Sequence, residues 1–268
     1  MSHNDGVPKL LKAAIATVVS IAVAFVAVDF GFAIYAEYKL SRTIRAAAKL
    51  DWDPSANILG FPFVTQALGH RYHEVEIKAN DVAHPHVGRA SLEATMHDLD
   101  LTEASWLVRP DAPIPVDTLE SRIIINSRYL GAFIGVKDLM VEAPPDTDDD
   151  NTTESGISAP VGLVFSGTPR SAGIDKRVSV SVDLSMVGPQ QHTLLITPTG
   201  ILTGPGTADQ EVPEDRVGAV LRAFEGSLPD QVLPFGVAPS TQGARGSDVI
   251  IEGVITGVTV TLEEFTQS

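Results

Sequence analysis

Apolar and polar residues alternate along several stretches of the chain, and the longest alternation runs from Val178 to Met186. Val, Leu and Met occupy every second position there, with Ser and Asp between them. A period of two is typical of a β-strand with one buried face and one face in water. Shorter alternations or apolar runs predict further strands at residues 73–79, 92–96, 123–125, 136–141, 161–165, 194–197 and 258–262.

The spacing changes to that of a helix in one later segment. Five apolar residues fall on a single helical face, with residues 213–215 suited to the first turn and Gly226 and Pro229 to the end: Val217, Val220, Leu221, Phe224 and Leu228. No regular strand–helix–strand alternation occurs, which disfavours a parallel sheet. We therefore predict an α+β fold of long antiparallel strands with a helix packed on them.

The N-terminal part of the chain is apolar all round. From Ala13 to Ala36 the only charged residue is Asp29. At about 1.5 Å per residue this run is long enough to cross a bilayer core of roughly 30 Å. A cleaved signal peptide is the alternative, because residues 22–24 form an Ala-Val-Ala site. The apolar run continues well beyond that site, which favours a retained transmembrane anchor over 13–36.

Basic residues flank this run on both sides. Lys9 and Lys12 precede it, in a predicted cytoplasmic tail of residues 1–12, and Lys39, Arg42, Arg45 and Lys49 lie after it. The second group recurs at helical spacing, so residues 37–50 are predicted to form a basic helical stalk, either against anionic headgroups or in water. A positive-inside count places the remainder, residues 51–268, in the cytoplasm, whereas N-terminal anchors of this kind usually translocate the domain on their C-terminal side.

Composition narrows the function classes. The chain has no Cys, which excludes disulfides, thiolate metal sites and Cys nucleophiles. Its formal charge is −15, although the first 50 residues are basic, and so acidic a domain has no field that would attract nucleic acid. Residues 143–156 are rich in Asp, Pro and Thr and are predicted to form a flexible acidic loop.

No catalytic or cofactor motif is evident. The chain lacks a Gly-x-Ser-x-Gly elbow, a Walker loop, a His-Glu-x-x-His pair and a dinucleotide fingerprint. His70, His73, His84 and His86 form the densest His group, but they fall at loop-to-strand and turn-like positions. We expect solvated loop histidines there, and predict no metal, no cofactor and no enzymatic activity.

One stretch carries a more specific pattern. Gly60, Pro62-Phe63, Thr65-Gln66 and Gly69 precede the strand at 73–79, and a Leu-Pro turn at Leu233 precedes a Gly-rich pair of strands near the C-terminus. In their order and spacing these features resemble the LmeA family of actinobacterial envelope proteins, from about residue 37 onward.

The resemblance implies a fold like the tubular lipid-binding domains, in which a curved antiparallel sheet wraps a helix around an apolar groove. It further implies binding of phospholipids, phosphatidylinositol-type lipids among them, and a non-catalytic role in maturing mannose-bearing envelope lipids such as lipomannan. It also implies a domain outside the cytoplasmic membrane, against the charge count. The family brings no catalytic residues.

On this basis we predict a lipid groove between the helix face and the longest strand, lined by Val217, Val220, Leu221, Phe224, Leu228, Val178, Val180, Val182, Leu184 and Met186. Phe61, Pro62 and Phe63 form a stiff apolar corner that either plugs the end of the sheet or dips into the membrane interface. Arg71 is the candidate headgroup contact, and Arg42, Arg45 and Lys49 are the candidate membrane-surface cations. The rival hypothesis is an envelope scaffold with a filled core; an elongated cavity between these two faces would favour the lipid carrier.

Overall fold

A computed structural model describes residues 9–102, 109–143, 156–204, 207 and 211–266. It begins with α1, a single helix of 39 residues, Lys9–Ala47, that contains the predicted anchor and most of the predicted stalk. The helix is long and apolar enough to cross a membrane, with a mean hydropathy of 2.3 in its most apolar window. By these criteria it is either a membrane anchor or a signal sequence. Most of the predicted acidic loop, residues 144–155, lies outside the described residues.

The first sheet is antiparallel and has six strands, in the order β1-β2-β3-β4-β11-β10. The alternating residues of the predicted strands at 73–79 and 92–96 point into the core, since Val75, Ile77, Leu92 and Met96 are fully buried. These strand predictions are therefore confirmed. The strands are β1 Ser55–Leu59, β2 Arg71–His84, β3 Gly88–Asp100, β4 Ile114–Asn126, β10 Thr241–Arg245 and β11 Asp248–Val260.

The second sheet is also antiparallel and has five strands, in the order β5-β6-β7-β8-β9. Its two longest strands contain the alternating stretch at 178–186 and the strand predicted at 194–197. The α+β class with antiparallel sheets behind an apolar N-terminal helix is thus confirmed, and neither sheet closes into a barrel within the described residues. The strands are β5 Met140–Glu142, β6 Leu163–Gly167, β7 Val178–Val187, β8 Thr193–Leu202 and β9 Gly226–Leu228.

Within the described residues, three short α-helices lie between strands, and α3 is the one that leads from the first sheet to the second: α2 Phe63–Gly69, α3 Ser127–Ile134 and α4 Val217–Phe224. The helix predicted up to Leu228 is wrong in its last turn. Glu225 is extended, and Leu228 pairs with Leu194 in the sheet. Pairing with β8 replaces a helical turn that Gly226 would have weakened.

Two further details of the second sheet differ from the predictions. The strand predicted at 136–141 is a turn as far as Leu139, whose N–H bonds to the carbonyl of Val136, and only its end pairs as β5. The face of β7 predicted to be wet is buried at Ser179, whose hydroxyl lies 2.7 Å from that of Ser166. Ser166 lies directly opposite Ser179 on β6, so the two hydroxyls can satisfy each other where this face is buried, whereas the loop at Val136 packs over Gly167 on the other face of the sheet.

One hydrophobic core includes residues of both sheets and of α1. The apolar faces of β2, β3, β4 and β11 meet those of β6, β7 and β8 in it. Helix α1 contributes through its C-terminal half only, where Ala36, Leu40 and Ile44 are buried. Its first twenty residues have no buried side chain.

Candidate functional site

The C-terminal half of α1 is fixed to the domain by polar side chains as well as by its apolar stripe. The Asp29 carboxylate accepts the backbone N–H groups of Phe63 and Val64, at 2.9 and 2.8 Å. Further along the helix, Glu37 accepts the N–H of Ile58 and Ser41 donates to the carbonyl of Pro54. Helix α1 therefore lies along β1, the edge strand of the six-stranded sheet, and runs antiparallel to it.

These contacts give the single acid of the apolar run a structural role. Asp29 is only 2% exposed, and its two oxygens satisfy the first N–H groups of α2, which the preceding Pro62 cannot cap with a side-chain oxygen. A negative charge at the start of a helix is also favoured by the helix dipole.

The corner at Gly60–Phe63 is held by the side chain of Gln66. Its amide donates to the carbonyl of Gly60 at 2.9 Å and its oxygen accepts the N–H of His73 at 3.0 Å, so it links the corner to β2. Gly60 has a φ of +108°, and a Cβ there would lie 2.8 Å from the Gln66 amide nitrogen, so both backbone angle and space require glycine. Thr65 donates its hydroxyl to the carbonyl of Pro62.

The two phenylalanines of the corner have different surroundings. Phe63 is buried and packs against Tyr72, with ring centroids 6.2 Å apart. Phe61 is 60% exposed and stacks on Phe30 of α1, also at 6.2 Å. The sequence left open whether this corner plugs the end of the sheet or dips into the membrane interface. In the structure Phe63 fills the end of the core, whereas Phe61 faces outward.

An elongated apolar groove of about 860 Å³ runs along α1. Its volume falls within the roughly 300–1,000 Å³ typical of small-molecule sites. Along the helix it extends from Phe32 to Ala46, roughly 21 Å at the helical rise. It is lined by one face of α1, the inner side of α2, the start of β2 and one loop residue: Phe32, Tyr35, Ala36, Lys39, Arg42, Thr43, Ala46, Phe63, Ala67, Tyr72 and Pro110.

Two cations line this groove on an otherwise apolar surface. Lys39 lies over the ring of Tyr35, with its ammonium 5.7 Å from the centroid, and Arg42 lies over Tyr38 at the same distance. Arg42 also donates to the Tyr38 hydroxyl at 2.9 Å, and this hydrogen bond raises the pKa of the guanidinium. Among the described residues, neither cation forms a salt bridge, so both charges are available to an anion.

The other predicted membrane-surface cations are placed differently. Arg45 pairs with Asp53 at 3.3 Å, which offsets its charge. Lys49 lies just past the end of α1, exposed and with a positive φ of 53°. Of the three predicted membrane-surface cations, only Arg42 lines the groove, where Lys39 accompanies it.

Arg71, the predicted headgroup contact, lies outside the groove although its neighbour Tyr72 lines it. It pairs with Asp100 at 3.1 Å and shares a shallow surface cavity with Asp98 and Asp117. Hydrogen bonds from Thr102, together with the charge of Arg71, lower the pKa of Asp100. The role of Arg71 stays a prediction, but the carboxylates around it disfavour a phosphate there.

The ten residues predicted to line a lipid groove are brought together, but inside the core. Six of them have no accessible surface and Leu184 is 4% exposed, while Met186, Val217 and Leu221 are partly buried. A side chain with no accessible surface borders no space that admits a water molecule. Their contact with acyl chains stays a prediction, and it requires that the core open. The six are Val178, Val180, Val182, Val220, Phe224 and Leu228.

The prediction of solvated loop histidines is wrong for His84, which is 4% exposed. Its Nδ1 accepts the N–H groups of His86 and Val87, and its Nε2 lies 3.2 Å from the side-chain nitrogen of Gln231. Burial lowers the pKa of the His84 imidazole. Within the described residues, no three His, Asp or Glu side chains cluster as a metal site would require.

The groove was not predicted from the sequence because its walls come from separate segments of the chain, and no pattern in any one of these segments indicates that they meet. Helix α1 was predicted as anchor and stalk, and α2 is a seven-residue helix without an amphipathic pattern. The available signal was Asp29, since an acid within an apolar run of this length requires a partner.

Comparison with known families agrees with this arrangement. A model of the LmeA-like phospholipid-binding family matches residues 27–254, which begin two residues before Asp29, include the groove, the corner and the second sheet, and end within β11, the last strand of the first sheet. No curated protein and no solved structure matches the chain.

Proposed function

The chain belongs to the LmeA-like phospholipid-binding family, and from this membership we propose that it holds one phospholipid in the groove along α1. The observation that carries the proposal is the groove itself, an apolar channel lined by two cations that form no salt bridge with any residue the structure describes. An acyl chain in it would cover the exposed rings of Phe32 and Tyr35, and each Å² of apolar surface removed from water in this way contributes about 25 cal/mol. The groove is longer than one bilayer leaflet of roughly 15 Å, so it can take most of a chain.

The headgroup phosphate would lie at Lys39 and Arg42. Both project from α1 into the groove, and a guanidinium can bond two phosphate oxygens at once. This placement moves the predicted headgroup contact from Arg71 to α1. It also explains how so acidic a protein can bind an anionic lipid, since the cations act locally while the overall field opposes them.

We further propose that α1 is a retained single-pass anchor and that the domain lies outside the cytoplasm. The Ala22-Val23-Ala24 site lies in the middle of a continuous helix, whereas proteolytic sites are favoured in exposed and extended segments. The outward orientation rests on the family resemblance, and a cytoplasm-only reporter fused after Ser268 should be silent.

The finer functional assignments rest on the same resemblance. We propose that the protein acts in an actinobacterial cell envelope, that phosphatidylinositol-type lipids are among its ligands, and that it supports maturation of mannose-bearing lipids without catalysing a reaction. Holding a lipid at the bilayer surface needs no covalent chemistry, and the groove offers no pairing of nucleophile and base among its lining residues.

Native mass spectrometry of protein released from detergent tests the proposal. The parent protein should carry one phospholipid per chain. Ala67→Phe fills the groove from α2 and should lose most of the bound lipid, whereas Leu68→Phe changes the next residue, which is 78% exposed and outside the lining, and should retain it. Equal lipid occupancy in the two variants would place the ligand elsewhere.

One observation favours the rival hypothesis of an envelope scaffold with a filled core. Most residues of α4 and β7 that were expected to border a cavity belong instead to the packed hydrophobic core, where α4 contacts β8. A protein of this family that carries no lipid after mild extraction would fit a scaffold whose groove receives a protein segment instead.

A further inference from the structure

The depth of Asp29 in a bilayer can be calculated from the length of α1. Lys12 is the last charged residue before the apolar run, and about 20 helical residues span a hydrocarbon core of roughly 30 Å. Counted from Ala13, the core then ends near Phe32. Asp29 lies one turn inside that margin, where an unpaired carboxylate would be costly.

The structure shows what shelters this carboxylate. Asp29 is 2% exposed because the chain around Phe63 and Val64 covers it and donates two N–H groups to it. Those donors belong to the folded domain, not to α1. If Asp29 lies inside the hydrocarbon margin, the corner that covers it must lie at the same depth.

The outward side of this corner has the character of a lipid-facing surface. Phe61 and Phe30 stack on each other, but both rings remain largely accessible, at 60% and 56% exposed. Leu59, at the end of β1, is 40% exposed. In water these side chains would leave a continuous apolar patch directly beside a helix that is itself apolar all round.

Residues further along α1 have the order expected across an interface. Tyr35 and Tyr38 come next after Phe32, both more than half exposed, and Lys39 and Arg42 come after them. Aromatic residues favour the headgroup boundary, and Lys and Arg side chains extend toward anionic headgroups. Lys39 lies roughly 10 Å beyond Phe32 along the helix, within reach of the headgroup layer.

We propose that the corner formed by Phe61, Pro62 and Phe63 inserts, together with Phe30, into the outer margin of the hydrocarbon of the bilayer that α1 spans. Asp29 fixes the insertion, because its two hydrogen bonds join the membrane helix to the corner at one depth. The domain is then held against the membrane in a set orientation, with the groove opening at the level of the headgroups. The proposal rests on the retention of α1 as an anchor in the proposed function, and it does not depend on which side of the membrane the domain occupies.

Depth-dependent quenching of tryptophan fluorescence tests the insertion in the full-length chain. The protein has two tryptophans, Trp52 and Trp106, the latter outside the described residues. One variant places a single reporter in the corner, Phe61→Trp with both native tryptophans changed to Phe. The matched control keeps only Trp52, which is 70% exposed and lies past the far end of α1, roughly 25 Å or more beyond Asp29.

Both variants are reconstituted in vesicles of phosphatidylcholine with phosphatidylglycerol, with or without bromine on the acyl chains. The corner reporter should show a blue-shifted emission and lose most of its intensity in brominated lipid, while Trp52 should be unaffected. Leu59→Trp in the same background is a second reporter from the same apolar patch, in case Phe61→Trp does not fold. A folded corner reporter that resembles Trp52 would overturn the insertion.

The same samples separate this proposal from the proposed lipid ligand. Native mass spectrometry after extraction reports whether a phospholipid is retained. An unquenched corner in a protein that still carries lipid would refute the insertion alone. A quenched corner in a protein without bound lipid would support the insertion and count against the groove ligand.

Discussion

At the scale of single residues, the motif that identifies the family has a physical explanation. Gly60 is required by its backbone angle and by the approach of Gln66, and Gln66 in turn joins the corner to β2. Near the C-terminus, the Leu-Pro turn packs over Gly253 of β11, where a Cβ would lie 2.3 Å from the carbonyl oxygen of Ala238. These residues maintain the shape of the site, and none of them has to touch a ligand.

The role of Asp29 was not predicted from the sequence, but the structure explains it. Changing Asp29 to Ala leaves the N–H groups of Phe63 and Val64 buried without an acceptor, and we expect it to destabilise the domain by about 1–2 kcal/mol, as loss of a helix cap does. Asp29→Asn keeps one acceptor and should cost less. Thermal unfolding in detergent measures both, and equal stability of Asp29→Ala and the parent would contradict the capping role.

At the scale of secondary structure, most of the strands and α4 were predictable, whereas α2 and α3 were not. Period-two alternation decides which side of β2, β3 and β7 faces the core. Helices of seven or eight residues offer few positions for an apolar stripe, and α4 shows one whereas α2 and α3 were not recognised. The last turn of α4 was mispredicted because pairing with β8 outweighs local helical spacing.

The hairpin between β2 and β3 carries a pH dependence. Burial lowers the pKa of His84, so the folded protein keeps this imidazole neutral while the unfolded chain protonates it below about 6.5. The unfolded state then binds more protons, and the free energy of unfolding falls as pH is lowered from about 7 to 5.

His84→Asn keeps an acceptor for the N–H groups of His86 and Val87 and removes the titration. Urea unfolding across this pH range should show a flatter pH dependence for the variant than for the parent. Many carboxylates titrate at lower pH in both proteins, so the difference between the two curves is the informative quantity. Curves that run parallel would exclude His84 as the cause.

Helix α1 should attract the domain to anionic membranes through the two cations of the groove. In a form that begins at Asp29, Lys39→Ala with Arg42→Ala should weaken binding to anionic vesicles about 30-fold at low salt, at about 1 kcal/mol per cation. Arg45→Ala is the control, because Asp53 already offsets its charge. The difference should fade as salt rises and the Debye length falls from about 30 Å to about 3 Å. A control variant that weakens binding as much as the double variant would contradict this assignment.

At the scale of the whole molecule, the structure separates the apolar surface into a packed core and an open groove. The sequence predicted a lipid groove lined by the apolar faces of α4 and β7, and most of these residues belong to the hydrophobic core. Periodicity cannot distinguish a face that packs against protein from one that would pack against lipid. The groove arises instead where α1 continues along the first sheet and α2 folds back beside it. The long apolar helix thereby forms one wall of the proposed ligand site.

A photoactivatable phospholipid with a diazirine on its acyl chain tests the central claim most directly. After reconstitution, illumination and proteolysis, mass spectrometry maps the crosslinked residues. We predict adducts on the groove walls, within 32–46 of α1 and 63–72 of α2 and β2, and their loss in Ala67→Phe but not in Leu68→Phe. Adducts concentrated on α4 and β7, with the groove walls unlabelled, would contradict this claim. They would indicate that the lipid binds between α4 and β7, as the sequence predicted.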